Sequence, residues 1–308
     1  MPDRPSVSII IPNRDGLGCL PRAIASIGDA ADVEIVVLDD ESTDGSGGWL
    51  SRAAQGDRRL RVLLGSGRGP AKARNMAIGA ARGRLLAFLD AEDAWHAAKL
   101  ATQCALHRDH PDLAFSFTDF REVGADGTAH GTGFAPWPDF RARHRATAAP
   151  FVLAEDAMAQ LYAEPVVGTS TVVARTDLVR ELGGFDPDIP GAACWDLWLR
   201  LAARGRVGCV PRVLTDQAVR AQDGADARTG LLGMRMIGAR HAAAAERLSP
   251  RAARIFNARL LGAEADIATT ADRPWRAAWL RAGAWWQAPS PVAQRAVVGA
   301  VFHAMSLL

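Results

Sequence analysis

Four short apolar runs, residues 7–11, 33–38, 61–64 and 85–89, alternate with segments of helical spacing along the first third of the chain. Apolar runs of this length, bounded by turn residues, read as buried strands. Strands joined through helical crossovers are parallel, and right-handed connections gather them into one sheet covered by helices. The intervening segments fit this reading. Residues 20–27 carry apolar side chains at helical spacing. Ser42-Thr43-Asp44-Gly45 supplies capping and turn residues ahead of Trp49 and Leu50, and the Gly-rich turn 65–70 opens a helix over 71–81.

Three of these strands end in polar chemistry: Asn13 after the first, Asp39 and Asp40 after the second, and Asp90, Glu92 and Asp93 after the fourth. Open α/β sheets bind ligands outside the carboxyl ends of their strands. Carboxylates beside a core are costly unless something positive pairs with them. An acid, a spacer and a second acid at a strand end suit a hard divalent cation, which prefers oxygen ligands. The other reading of 90–93 is a solvated acidic turn that caps the next helix.

Further on, the pattern predicts a helix over 95–106, a strand over 114–123, alternation over 166–174, a turn at 183–186 and a helix over 195–203. Residues 124–150, rich in Gly, Pro, Arg and His, read as a long loop or insertion. Residues 222–230 are polar and Gly-rich, and 231–308 are helical in pattern, with a break at Pro289-Ser290-Pro291. The division expected is an α/β domain over 1–222 and a helical extension over 223–308. A net charge of +2 without a concentrated basic stripe points away from nucleic acid. Cys19, Cys104, Cys194 and Cys209 are scattered with no C-x-x-C pair, which argues for a reducing compartment and against a zinc site or disulfide framework. No signal-like segment opens the sequence, and the apolar stretch 296–308 is short for a bilayer and interrupted by His303. A cytoplasmic location is expected.

Several blocks, in order, carry a resemblance: Val7-Ser8-Ile9-Ile10-Ile11-Pro12-Asn13, Glu34 to Asp40 with Ser42-Thr43-Asp44-Gly45, Gly69-Pro70-Ala71-Lys72-Ala73-Arg74-Asn75, Gly83 to Trp95, Gly168-Thr169-Ser170-Thr171, Gly183-Gly184-Phe185-Asp186, and Trp195-Asp196-Leu197-Trp198-Leu199-Arg200-Leu201. Over roughly residues 6–220 the chain resembles the inverting glycosyltransferases of family 2, whose GT-A fold is a Rossmann-like, mostly parallel sheet flanked by helices. The resemblance implies transfer of a sugar from a nucleotide-diphosphate donor, UDP-sugar first among them, to a glycan or lipid-linked hydroxyl in polysaccharide biosynthesis, with Mn2+ or Mg2+ as cofactor. It casts Asp90 and Glu92 as the metal-binding acid pair, with Glu where Asp is typical. Asp40, supported by Asp39, takes the place of the acid that binds the nucleobase, and Pro12 and Asn13 that of the loop over base and ribose. Arg74, near a helix start that favours anions, contacts phosphate or base, or bridges to Asp90 or Asp40. Asn75 is expected to satisfy backbone groups.

One departure concerns catalysis. An inverting transferase needs a base for the acceptor hydroxyl, and the family's Glu-Asp pair ahead of Trp195 is here Ala193-Cys194. Asp196 is the nearest surviving acid and the candidate base, although about 200° from position 194 on a helix; a structural role is its other reading. Asp186 and Asp188 lie upstream. The segment 217–229 also lacks the histidine that family members often carry. A catalytically impaired member that binds nucleotide or glycan as a partner protein is therefore the alternative reading. A nucleotidyltransferase is the third, with a poor phosphate loop at 12–16. In the tail, Trp275, Trp279, Trp285 and Trp286 interleave with Arg273, Arg276 and Arg281. They pack helices together or form a peripheral contact at the inner face of the membrane. The Arg-rich stretch 141–145 is solvated surface or steers an anionic acceptor.

Overall fold

The computed structural model describes residues 5–145, 147–219 and 224–305. The chain runs β1 (Val7–Asn13), α1 (Leu20–Ser26), β2 (Val33–Asp39), α2 (Ser46–Gly56), β3 (Leu60–Leu64), α3 (Pro70–Ala80), β4 (Leu85–Phe88), β5 (Ala94–Trp95), α4 (Lys99–Asp109) and β6 (Leu113–Val123). It continues through β7 (Ala129–Thr132), α5 (Pro138–His144), β8 (Phe151–Val152), α6 (Ala157–Ala163), a 3-10 turn (Thr169–Thr171), β9 (Val173–Arg175), α7 (Thr176–Glu181), α8 (Ala193–Ala202) and β10 (Arg206–Ala218). Four helices follow: α9 (Gly224–Leu248), α10 (Pro250–Thr270), α11 (Pro274–Gln287) and α12 (Pro291–Met305).

The main path of the sheet is β3-β2-β1-β4-β9-β6-β10-β5. Its first half is parallel, with Asn13 in register with Asp39 across β1 and β2, and β4 on the other side of β1. Ile9, Ile10, Ile11, Ile35, Val36 and Val37 are fully buried. Such continuous apolar strands are what a sheet covered on both faces requires. The second half is mixed: β9 runs antiparallel to β4 and β6, while β10 is parallel to β6. The sequence pattern anticipates the parallel half. The alternation over 166–174 reaches part of β9, but not its place between β4 and β6, which long-range pairing sets, and β10 is not anticipated.

Two local expectations change. Residues 124–150, read as a loop, contain β7, which folds back on β6 through a turn at Gly127 (φ +82°), and the short helix α5. The helix expected from residue 95 starts at Lys99 because Trp95 pairs with Thr215 as a strand. Glu34, on the buried β2, is 2% exposed and would be untenable alone. Burial pushes its carboxyl up, but hydrogen bonds from Ser8, the Arg82 backbone, Arg61 and the Arg82 side chain hold it at about 2.

The described residues form two compact units. The sheet unit lies within Met1–Ala157, Val166–Pro187 and Arg200–Arg220, and the helical unit within Met158–Pro165, Asp188–Leu199 and Ala221–Leu308. The boundary expected at 222/223 lies outside the described residues. Within the helical unit, α10, α11 and α12 each begin on a proline, where the missing N–H costs nothing. Ser249 caps α10 by accepting from the Ala252 amide at 3.3 Å. Tyr162 stacks on Phe256 at 4.2 Å, and the Trp195 indole donates to the Leu161 carbonyl.

Candidate functional site

The carboxyl ends of β2, β1 and β4 lie side by side, so Asp39, Asp40, Asn13 and Asp90 come together as the pattern of polar strand ends predicts. Asn13 is 2% exposed. Its amide nitrogen donates to Asp39 Oδ1 at 2.8 Å and to Ser42 Oγ at 3.1 Å. Because Asp39 accepts, the amide orientation follows from the chemistry. Asn13 Oδ1 is then a buried acceptor with no hydrogen-bond partner among the described residues. A buried orphan of this kind calls for an explanation, and a donor group on a bound ligand supplies one.

Asp40 is 5% exposed and wrapped by the Gly-rich turn: the amides of Ser66, Gly67 and Gly69 donate to its carboxylate at 3.1, 2.9 and 3.1 Å. A side chain at Gly65 would strike the Asp40 carboxylate and Leu38, so glycine there lets the turn close. Asp40 thus organises the loop leading into α3. The sequence reading, which pairs it with a nucleobase, misses this role; the glycines just past β3 were the available signal. Pro12 precedes Asn13 at the same strand end.

Arg74, on α3 and 8% exposed, donates to Asp90 Oδ1 at 2.5 Å. The bridge to Asp90, one of the readings open from sequence, is formed, and it is compatible with a phosphate contact by the same guanidinium. The Arg74 guanidinium lies 5.5 Å from the centre of the Phe185 ring, a cation–π geometry. Phe185 is itself fixed: Asn75 donates to its carbonyl at 2.7 Å and accepts from its amide at 2.8 Å, and Phe88 meets it edge-on. Asn75 therefore satisfies backbone groups, as expected. Gly184, at φ +72°, brings that backbone onto Asn75 where a Cβ would collide. The Gly183-Gly184-Phe185 block, read from the sequence as a turn and as part of the resemblance, is a platform for Arg74.

The turn 90–93 is pinned by Ser170. Its hydroxyl accepts from the Asp90 amide at 2.9 Å and donates to Asp93 Oδ2 at 2.5 Å. Asp93, 4% exposed, also accepts from the Ala218 amide at 2.9 Å. Burial and the neighbouring Asp90 carboxylate push its carboxyl up to about 6. Arg22 donates to the Glu92 carbonyl at 2.6 Å. Of the three acids, Asp93 is thus spent on the protein. Among the described residues no group of three or more His, Cys, Asp or Glu side chains is gathered as for a metal. The other two acids of the turn are Asp90, paired with Arg74 and with 20% of its side chain exposed, and the half-buried Glu92. Two carboxylates suit an ion that completes its shell with substrate phosphates.

Beneath this turn lies a buried polar chain. The Trp95 indole donates to the Ser170 carbonyl at 2.8 Å, and the Lys99 ammonium sits 4.2 Å above the Trp95 ring and donates to Gln103 at 2.7 Å. Lys99 is fully buried, and that burial pulls its amine from 10.5 down to about 7. A lowered folded-state value means that the unfolded chain holds more protons between about pH 7 and 10.5. The burial penalty is therefore complete below pH 7 and fades as pH rises through that window. Relative to Lys99→Met, stability of the native chain is expected to climb by on the order of 1 kcal/mol per pH unit there. Urea midpoints of both proteins across that range check it; parallel curves would contradict it.

Asp196 belongs to the helical unit. It is fully buried and accepts from His241 Nε2 at 2.9 Å and Arg240 Nη1 at 3.0 Å, tying α8 to α9. Cys194 is partly buried on the same helix.

Residues 8–160 match the family model described as Glycosyl transferase family 2. TuaG of Bacillus subtilis (strain 168), a protein named for teichuronic acid biosynthesis, is 35% identical over 128 residues, covering 41% of this chain and 50% of TuaG. Two solved structures share the fold. A mannosyltransferase, PcManGT from Pyrobaculum calidifontis, in complex with GDP-Man and Mn2+, aligns with a TM-score of 0.60 and 23% identity over 100% of this chain and 82% of its own. TarS 1-349 of S. aureus in complex with UDP-GlcNAc aligns with a TM-score of 0.60 and 15% identity over 91% and 88%. A mixed α/β sheet flanked by helices, carrying polar strand ends and followed by a helical region, is the GT-A architecture. Over residues 8–160 the chain belongs to the family 2 glycosyltransferases. It spans half or less of the length of the first curated relatives it matches.

Proposed function

We propose that this chain transfers a sugar, with inversion, from a nucleotide-diphosphate donor of the UDP-sugar type to a glycan or lipid-linked hydroxyl during polysaccharide assembly. The observation that carries this reading is the cluster at the ends of β2, β1 and β4: a buried, unsatisfied Asn13 acceptor beside Asp39 and Asp40, and an Arg74–Asp90 pair beside Glu92. The UDP-GlcNAc and GDP-Man complexes of the two structural neighbours support the donor class. The name of TuaG supports the polysaccharide setting.

In this reading Asn13 takes a donor group of the base or ribose, with Pro12 shaping the same strand end, and Asp39 holds the Asn13 amide in place. Asp40 orders the 65–69 turn and, through it, the start of α3. Arg74, braced by Phe185, faces the diphosphate. Asp90 and Glu92 are the residues that would hold a Mn2+ or Mg2+ ion. When bound, such an ion offsets the charge that develops on the departing diphosphate.

Asp196 serves this reading as an anchor. A fully buried carboxylate already engaged by Arg240 and His241 is poorly placed to receive a proton from an acceptor hydroxyl. Asp186 and Asp188, upstream of α8, are the acids left to replace the family's missing pair.

The test is turnover. Incubation with UDP-, GDP- and dTDP-sugars, Mn2+ and a panel of glycan and lipid-linked acceptors is expected to release a nucleoside diphosphate from a UDP-sugar. Release from none of them, under conditions where UDP binds, would overturn transfer while leaving donor binding intact.

A further inference from the structure

Helix α11 presents three tryptophans to water. Trp275 is 48% exposed, Trp279 73% and Trp286 78%. At about 100° per residue the three fall within an arc of roughly 40° on one side of the helix. Ala277, Ala278 and Leu280, all buried, form the packing face on the other side. Single exposed apolar side chains are ordinary, whereas an aligned row of the largest ones marks an interaction surface. Helix α12 adds exposed Val298, Val301 and Met305.

Charge selects the partner. From residue 273 to the last residue the sequence contains Arg273, Arg276, Arg281 and Arg295 and no Asp or Glu. Arg281 is engaged by Asp266, while Arg273 and Arg276, at the start of α11, are exposed. A second copy of the chain meeting this face about a two-fold axis would set arginines against arginines with no acid of the same segment to pair them. An anionic phospholipid surface fits instead: indole rings settle at headgroup depth, and guanidinium groups pair with phosphates. No helix among the described residues is long and apolar enough to cross a membrane, so α11 would lie along it.

We infer that α11 docks on an anionic lipid surface, with Trp275, Trp279 and Trp286 inserted among the headgroups and Arg273 and Arg276 on lipid phosphates. The test uses the full chain and vesicles of phosphatidylcholine with and without phosphatidylglycerol, and needs no turnover. Co-sedimentation is expected with the anionic vesicles, together with a blue shift of tryptophan emission. Replacing Trp275, Trp279 and Trp286 together by alanine is expected to weaken binding about tenfold or more. Because these rings are exposed, the thermal melt should stay unchanged. Arg276→Glu should weaken binding to the anionic vesicles by roughly fivefold or more. The inference is overturned if the native chain stays in the supernatant, or if the triple variant binds as the native chain does. It is equally overturned by a dimer that the triple variant dissociates while neither protein binds lipid. Should the triple variant fail to fold, Trp279→Ser alone serves, with a measurable loss of binding expected and none contradicting.

Discussion

Asp90→Asn is expected to lower turnover by about a thousandfold, roughly 4 kcal/mol of transition-state stabilisation. Asparagine keeps the shape and can still accept from Arg74, so the 2.5 Å contact is weakened rather than deleted. What disappears is the charge. The Arg74 guanidinium, 8% exposed, then loses the Asp90 charge, and a metal shared with the donor would lose one of two carboxylates. The expected signature is a large fall in kcat/KM and a shift of the Mn2+ dependence to higher concentration, beside a lowered thermal midpoint from the weakened pairing of a buried guanidinium. If Asp90 only paired with Arg74 for stability, the midpoint would fall and the metal dependence would not move. Rates across a Mn2+ titration separate the two.

Asp196→Ala is expected to be the most destabilising of the single substitutions considered, by about 3 kcal/mol or more. It strands His241, 7% exposed, and removes one end of the link between α8 and α9. Asp196→Asn keeps an acceptor for one partner, and a loss of about 1 kcal/mol is expected. The two substitutions distinguish an anchor from a base. An anchor replaced by asparagine loses stability and retains turnover within a few-fold. A base replaced by asparagine loses turnover by about a hundredfold or more at unchanged stability. Urea unfolding beside kinetics on Asp196→Asn decides it, with the first outcome expected.

The parallel half of the sheet was legible because its strands are buried on both faces, so their apolar runs are unbroken and the polar ends of β1, β2 and β4 stand out. The placement of Asn13, Asp39, Asp40 and Asp90 followed from that alone. Arg74 was legible as a cation near a helix start, but only the fold shows that Phe185, 111 positions away in sequence, holds it over Asp90. Asp93 read as a third member of an acidic cluster, and its inward turn depends on Ser170 and Ala218, whose hydrogen bonds leave no local signal. The hairpin of β6 and β7 hid behind glycine and proline because composition marks turns without saying what they join. In the tail, the spacing of Trp275 and Trp279 was visible, yet which face they occupy was settled only by the burial of Ala277, Ala278 and Leu280 opposite them.

In the proposed function, the ends of β2, β1 and β4 hold a nucleoside diphosphate jointly with a divalent ion. Calorimetric titration of UDP, GDP and dTDP, with and without Mn2+, tests it most directly. Native protein is expected to bind UDP in the presence of Mn2+, at least about tenfold more weakly without it, and Asp90→Asn is expected to lose that difference. Equal affinity with and without Mn2+, or no heat with any of the three nucleotides, would overturn joint binding of nucleotide and metal at these strand ends.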